Sequence, residues 1–139
     1  AVRLDVLVVD SSVAVKWFRR NEEFGVQEAE SLLTDHRSGA VKLVCPTQLR
    51  LEVLNALRMH GADGDQLERV TRALEDTGLF WVHMDVDLAI SAARIAADHR
   101  LTVYDAAFVA TALMLDAELV TDDQAILRSG SCRMRALTE

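Results

Sequence analysis

The chain has 139 residues, of which half are hydrophobic and 27% are charged, with one proline and six glycines. This length suffices for one compact domain with a hydrophobic core, and the composition excludes an intrinsically disordered chain. The net charge of -7 argues against a protein that coats nucleic acid through a broad basic surface, but not against one whose clustered carboxylates bind cations. No apolar run approaches the roughly 20 residues of a membrane span and no signal-peptide pattern is present, so we expect a cytoplasmic protein without membrane contact.

Short runs rich in β-branched residues alternate along the chain with longer amphipathic segments, which predicts strands and helices in turn. The predicted strands span residues 4–9, 41–45, 79–83, 118–121 and 132–137. The predicted helices span residues 13–18, 26–36, 48–59, 64–76, 85 or 87 to 99, 105–115 and 122–127. This order is typical of an α/β fold with a mainly parallel central sheet of about five strands and helices on both faces, formed by residues 1–139 as a single domain.

Three smaller features accompany this prediction. Thr47 and Asp63 stand where they could cap the helices that follow them. The alanines of ISAARIAADH and DAAFVATAL predict two helices packed closely on one another. Cys45 and Cys132 each adjoin an apolar run, so we expect two buried, reduced thiols.

Acidic residues follow two of the predicted strands. Asp10 ends the strand VLVVD, and Asp122 and Asp123 follow the strand that ends at Thr121. Binding sites in open parallel sheets form beyond the carboxyl ends of the strands, so these acids are expected at one edge. Like charges placed close together there are disfavoured unless they are protonated or hold cations.

Two further acids lie on predicted helices. Glu52 shares a polar stripe with Gln48 and Asn55, on a helix whose other side is apolar. Asp105 opens an otherwise apolar helix. Four oxygen donors of this kind suit Mg²⁺ or Mn²⁺ rather than zinc.

Each acid also has an ordinary structural interpretation. Asp10, Asp105 and Asp122 could be N-caps of the helices that follow them, as acids at helix N-termini commonly are. Glu52 could lie on an exposed helix face. These alternatives weaken when the four acids are taken together.

The order strand-end Asp, helical Glu, helix-start Asp, strand-end Asp resembles that of PIN-domain nucleases, and most closely VapC-type toxins of toxin–antitoxin pairs. The matching segments extend over nearly the whole chain, in the order and roughly the spacing of that family. They are VVDSSVAVKWF, PTQLRLEVLNAL, LTVYDAAFVATAL and LVTDDQAIL. The resemblance therefore implies a PIN-like domain.

The same resemblance assigns candidate site residues by position. The four acids that would hold the metal and act in catalysis are Asp10, Glu52, Asp105 and Asp123. The small polar residues that would support them or bound water are Ser12, Asn55 and Thr121. The family's last acid comes two residues after the Thr, which favours Asp123 over Asp122, and Asp122 is then a neighbour or a cap.

The resemblance implies an endonuclease for single-stranded RNA that uses Mg²⁺ or Mn²⁺. It also implies a homodimer and a partner antitoxin whose tail lies across the active site. Alternatives are a DNA nuclease with the same metal chemistry and a non-catalytic binding module of the same fold. A phosphoacceptor receiver domain would want a Lys on a late strand, whereas Lys16 and Lys42 are both early.

An RNA substrate would need positive charge near an acidic site. The candidates are Lys16, Arg19, Arg20 and Arg50. Trp17 and Phe18 are expected to pack in a core or a dimer interface rather than to stack on bases.

Overall fold

The computed structural model describes residues 4–19 and 24–139, and within these ranges five strands form one sheet. The strands are β1 (Asp5–Val9), β2 (Val41–Pro46), β3 (Phe80–Val82), β4 (Glu118–Thr121) and β5 (Met134–Ala136). Their order across the sheet is β3-β2-β1-β4-β5, and every neighbouring pair is parallel.

Helices connect the strands throughout the described ranges. They are α1 (Ser11–Ala14), which continues as a 3₁₀ turn (Val15–Trp17), α2 (Val26–Ser38), α3 (Leu49–Met59), α4 (Gly64–Asp76), α5 (Val86–His99), α6 (Val103–Leu115) and α7 (Gln124–Ser129). None of the helices described is long and apolar enough to cross a lipid bilayer.

The central strand explains the layered architecture. Leu7, Val8 and Val9 are consecutive in β1 and all buried, although successive side chains of a strand point to opposite faces. Both faces must therefore be covered, as they are in parallel α/β sheets. The predicted α/β fold is confirmed, and the sheet is parallel throughout rather than mainly so.

The strand order reverses beside β1. The chain passes from β1 outward to β2 and β3, and then returns to place β4 on the other side of β1. Val9 of β1 is in register with Val120 of β4, so the residues that follow these two strands leave the sheet side by side. This is the topological switch point at which open α/β sheets bind ligands.

The helix boundaries depend on the capping residues. Asp63 caps α4 in a reciprocal arrangement with Gln66, with both hydrogen bonds at 2.8 Å, as the sequence predicts. Asp85, rather than Asp87, caps α5 by accepting from the backbone N–H of Leu88. Thr47 does not cap α3, because Gln48 occupies the N-cap position without a side-chain bond to the backbone, so that prediction is wrong.

Two predicted helices begin earlier than expected. The first starts at Ser11 rather than residue 13, because the Asp10 carbonyl accepts hydrogen bonds from the first turn immediately after β1. The sixth starts at Val103 rather than at Asp105, because the Thr102 hydroxyl accepts from the Asp105 N–H and begins the helix two residues sooner. Asp105 therefore lies within the first turn and is not the cap.

Small residues allow α5 and α6 to pack closely. The buried cluster between them consists of Leu88, Ala92, Ala96, Ala106, Ala107 and Ala110. This confirms the prediction from the alanine-rich segments. The main core is a separate cluster around the sheet, and it contains Trp17, whose indole Nε1 donates to the Ala29 carbonyl at 2.8 Å. Cys45 is buried and Cys132 half-buried, and both are free thiols.

We expect Ala92→Leu to destabilise the protein by about 1–3 kcal/mol. Ala92 is fully buried against α6, so a larger side chain must displace that helix. The matched control is Ala93→Leu, because Ala93 is exposed on the same helix and should change stability by less than about 0.5 kcal/mol. Urea denaturation of both variants provides the measurement. Equal effects at the two positions would contradict the close packing of α5 on α6.

Candidate active site

Asp10 follows β1 and is only 3% exposed. It occupies the N-cap position of α1, but its side chain makes no capping bond. Its carboxylate instead accepts two short hydrogen bonds, from Ser12 Oγ to Oδ1 at 2.6 Å and from Thr121 Oγ1 to Oδ2 at 2.6 Å. Both carboxylate oxygens are thus held by hydroxyls, while Asp10 is the N-cap residue by position, as its ordinary structural interpretation expects.

Hydrogen bonds of the same two hydroxyls connect the start of α1 to the residues that follow β4. Ser12 Oγ accepts from the backbone N–H of Asp122 at 3.0 Å, and Thr121 Oγ1 accepts from the backbone N–H of Asp123 at 3.0 Å. Each hydroxyl therefore donates to Asp10 and accepts from the backbone of the loop after β4. The supporting role of Ser12 and Thr121 stays a prediction, and the contacts place both hydroxyls on the Asp10 carboxylate.

The doubled acid after β4 has two different environments. Asp123 is the N-cap of α7, and its Oδ1 accepts from the Ile126 N–H at 3.0 Å. The helix therefore begins at Gln124 rather than at residue 122, and Asp122 is not its cap. Asp122 Oδ1 accepts from the Leu137 N–H at 3.1 Å, and its Oδ2 lies 3.4 Å from Lys16 Nζ.

Glu52 lies in the first turn of α3 and is half-buried. Its Oε1 accepts from Ser11 Oγ at 3.2 Å and its Oε2 from Gln48 Nε2 at 2.7 Å. Gln48 Nε2 also donates to the Tyr104 carbonyl at 2.8 Å, which connects the start of α3 to the start of α6. Glu52 is therefore not a solvated residue on an exposed face.

Asp105 and Asn55 differ in their burial and in their contacts. Asp105 is half-buried in the first turn of α6, directly after the carbonyl that Gln48 binds. Asn55 is exposed on α3, and within the described ranges it makes no hydrogen bond to any of the four acids. The supporting role predicted for Asn55 has no counterpart in these contacts.

Burial and mutual repulsion raise the pKa values of the acids. The pKa of Asp10 is raised to about 6 by burial and, to a smaller extent, by the nearby Asp123 carboxylate, against the opposing effect of its hydrogen bonds. The pKa of Asp105 is raised by burial and then by Asp123, and that of Glu52 by burial and then by Asp105. The four acids are therefore electrostatic neighbours, in the order Asp10, Asp123, Asp105, Glu52.

Each of the four acids stands at the start of a helix. Asp10 and Asp123 occupy N-cap positions, while Glu52 and Asp105 lie in first turns. Helix N-termini carry partial positive charge, which stabilises a nearby carboxylate by about 0.3–1 kcal/mol. The fold thus partly offsets the negative charge that it gathers.

The donor chemistry fits a hard divalent cation, since all four candidate ligands are carboxylates. Across residues 4–19 and 24–139, however, no three His, Cys, Asp or Glu side chains are close enough together to form a ready-made metal cage. Mg²⁺ commonly uses one or two carboxylates and keeps several waters. This arrangement therefore fits an ion bound partly through water.

Two of the basic residues predicted to contact RNA are engaged elsewhere. Lys16 is only 6% exposed, so its predicted contact with a surface-bound substrate is wrong. The Arg50 guanidinium lies 3.9 Å from the centre of the Trp81 ring and 2.9 Å from Glu75 Oε2. Arg19 is half-buried, and Arg20 lies outside the described residues.

Sequence reasoning missed several residues that hold the acids. Gln48 is predicted only as part of a polar stripe, although its spacing of four from Glu52 places the two on one helix face. Ser11 adjoins Ser12 without any motif of its own, and nothing in the sequence marks Lys16 as buried. Thr102 precedes Asp105 by three residues, which is the spacing of an N-cap bond and could have been recognised.

The chain is thus an α/β domain with acids at the switch point of its parallel sheet. A comparison with family models identifies its family. The PIN domain profile matches residues 7–130, so the chain belongs to the PIN domain family. No curated protein sequence matches the chain at a significant level.

Solved structures share this fold. The chain resembles a toxin–antitoxin complex from Klebsiella pneumoniae (17% identity, 94% of this chain and 97% of that one, TM-score 0.68). It also resembles the sarcin–ricin loop cleaving toxin VapC20 from Mycobacterium tuberculosis (15% identity, 89% and 95%, TM-score 0.73). A third similar structure is VapBC2 from Rickettsia felis bound to a DNA fragment from their promoter (9% identity, 94% and 98%, TM-score 0.72). The predicted PIN fold is confirmed.

In EDTA, we expect the wild type to lose stability relative to Asp10→Asn as the pH rises from about 4 to about 7. The pKa of Asp10 is raised from 3.8 to about 6 in the folded protein, so the folded state binds this proton more tightly than the unfolded state. The stabilisation is therefore complete below pH 4 and is lost as the pH rises through 6, by at most roughly 3 kcal/mol.

Denaturation midpoints of both proteins measured across this pH range test that expectation. Hydrogen bonds lost or gained by the asparagine shift the stability difference by a constant amount, so its pH dependence isolates the charge. A difference that stays constant with pH would mean that Asp10 is not a buried, raised-pKa carboxyl.

Proposed function

We propose that the chain is a divalent-metal-dependent endoribonuclease that cleaves single-stranded RNA. Asp10, Glu52, Asp105 and Asp123 act at its catalytic centre and hold Mg²⁺ or Mn²⁺. The observation that carries this proposal is the grouping of these acids at the switch point of the sheet, where the pKa values of three of them are raised in part by a neighbouring acid. Repelling carboxylates are retained in folded proteins where a bound cation offsets them.

The hydrogen bonds hold the acids in different ways. Asp10 is buried, and hydroxyls hold both of its oxygens. Asp123 has one oxygen in its helix cap, while the other makes no hydrogen bond within the described residues and can face an ion. Glu52 is held by Ser11 and Gln48 at a fixed place on the rim of the site.

Hydrolysis of a phosphodiester needs an activated water and compensation of negative charge on the phosphoryl oxygens, and divalent ions supply both when bound. The chain's own part is to orient ion and substrate. Helix N-termini at all four acids favour an anionic phosphate beside the site. Attack by water on the phosphorus with departure of the 3′-oxygen leaves a 5′-phosphate and a 3′-hydroxyl, and does not require the ribose 2′-hydroxyl.

The structural relatives support a biological setting for this activity. The similar Klebsiella structure is a toxin–antitoxin complex, and VapC20 is a toxin that cleaves the sarcin–ricin loop. We extend the proposal accordingly to the toxin component of a toxin–antitoxin pair, acting as a homodimer with an antitoxin protein as its partner.

Asp105→Asn is the cleanest removal of one acid. Replacing Asp10 or Glu52 by an amide would also face an NH₂ group towards a donor, because both oxygens of each accept hydrogen bonds. The Asp105 carboxylate has the Thr102 hydroxyl as its side-chain partner, and a hydroxyl can also donate to the oxygen of an amide. We expect Asp105→Asn to lower kcat/KM for cleavage of single-stranded RNA by about 100-fold or more.

The matched control is Asp116→Asn, the same substitution at the opposite end of α6. Asp116 has an almost fully exposed side chain and a left-handed backbone that Asn also tolerates. The protein is first freed of any bound partner by unfolding and refolding, and its fold is checked by circular dichroism. The assay uses RNA and single-stranded DNA of one sequence with Mg²⁺, Mn²⁺ or EDTA, and product ends are identified.

Metal-dependent RNA cleavage with 5′-phosphate ends, normal in Asp116→Asn and lost in Asp105→Asn, is the expected result. Cleavage of DNA in preference to RNA would make the protein a DNA nuclease. Binding of RNA without cleavage under any metal, by folded wild type, would make it a binding module and contradict the proposal.

A further inference from the structure

Lys16 is a buried lysine beside the acids, although it is not one of the residues that sequence patterns relate to the metal site. It lies in the 3₁₀ turn after α1. Its methylene chain passes close to Gly25, where an added Cβ would meet Lys16 Cε at 3.4 Å and Leu137 Cδ2 at 3.4 Å. Burying a lysine ammonium is costly, so its contacts must compensate for the loss of water.

Two of those contacts involve the two chain segments that carry Asp10 and Asp123. Lys16 Nζ donates to the Ser12 carbonyl at 3.1 Å, in the segment after β1. The same ammonium lies 3.4 Å from Asp122 Oδ2, in the segment after β4. Lys16 therefore joins the segment that presents Asp10 to the segment that presents Asp123.

Asp122 is fixed from several sides at once. Its Oδ1 accepts from the Leu137 N–H, its Oδ2 faces Lys16, and its own N–H donates to Ser12 Oγ. Asp123 is the next residue along the chain, so the direction of its carboxylate depends on this anchored backbone. Both Asp122 oxygens thus contact groups that lie outside the set of four acids.

The charges explain why such an anchor is needed. Asp10 and Asp123 are like charges on two segments that leave the sheet side by side, so they repel each other. Repulsion favours separation of the two segments that carry them. A cation bound to both segments opposes this separation without occupying the site itself.

We propose that Lys16 is a positioning residue, which acts through Asp122 and Ser12 to hold Asp10 and Asp123 at the spacing that binds the divalent ion. This inference rests on the proposed function, since it assumes that these acids bind an ion. Lys16 touches neither the ion nor the RNA in this role.

The test compares Lys16→Met, Asp122→Asn and the double variant with the wild type. Each single change removes one side of the Lys16–Asp122 ion pair and is expected to destabilise the fold. The double change removes both charges, and the amide that replaces the Asp122 carboxylate retains an oxygen acceptor for the Leu137 N–H, so stability should largely return. Arg135→Met is the control, because it removes another ion pair between β4 and β5, with Glu118 at 2.9 Å, outside the acid network.

The readouts are the Kd for Mn²⁺ from titration calorimetry, the free energy of unfolding in urea, and kcat and KM for RNA. Loss of a group that orients metal ligands typically weakens metal binding or activity by about 10- to 100-fold. We expect that loss in Mn²⁺ affinity and kcat for Lys16→Met and for the double variant, with KM for RNA nearly unchanged. Arg135→Met should bind Mn²⁺ like the wild type.

The double variant distinguishes a positioning role from a purely stabilising one even if Lys16→Met fails to fold. Recovery of stability without recovery of Mn²⁺ affinity supports a positioning role. Recovery of both would show that the pair only stabilises the fold, and would overturn the inference. A raised KM with unchanged Mn²⁺ affinity would instead assign Lys16 to substrate binding and also overturn it. Failure of the wild type itself to bind Mn²⁺ would overturn the proposed function and, with it, this inference.

Discussion

Placing the Asp10 carboxylate in the protein interior is the constraint around which the site is built. A buried carboxylate is costly unless hydrogen bonds replace its water, and here the Ser12 and Thr121 hydroxyls provide them. Thr121 can reach Asp10 only because β4 lies beside β1, in a register that ends both strands together. Because the return of the chain across the sheet creates this neighbour relation, the topology and the site depend on each other.

Glu52 and Asp105, on the other side of the site, are positioned by helices rather than by strands. Glu52 and Asp105 occupy first turns, and the Gln48 side chain bonds both the Glu52 carboxylate and the carbonyl before Asp105. One amide group therefore sets the relative position of two helix starts that come from distant parts of the sequence. The alanine-rich contact between α5 and α6 holds α6 close, so the rim that carries Asp105 is set by small side chains as much as by polar ones.

The sequence predicted the strands well because β-branched runs ending in acids are local patterns. Spacing and resemblance to a family also predict which acids form the site, and the assignment of these acids stays a prediction. The sequence could not distinguish Asp122 from Asp123 in structural terms, because the partners of Asp122 are Lys16 and Leu137, which are distant in sequence. Lys16 was misinterpreted for the same reason: a lysine in a helical segment is usually exposed, and only tertiary packing buries it.

The four acids lie on parts of the fold that differ in how well they are protected from local unfolding. From Ala106 to Ala112, seven consecutive residues of α6 are buried, and β1 is the central strand. Asp123, by contrast, begins the six-residue α7, which leads to the three-residue edge strand β5. Backbone amides of α6 should therefore exchange with deuterium only in global unfolding, whereas those of α7 and β5 exchange through smaller local openings. The acid group is then broken first on its Asp123 side, while Asp10 and Asp105 stay in place.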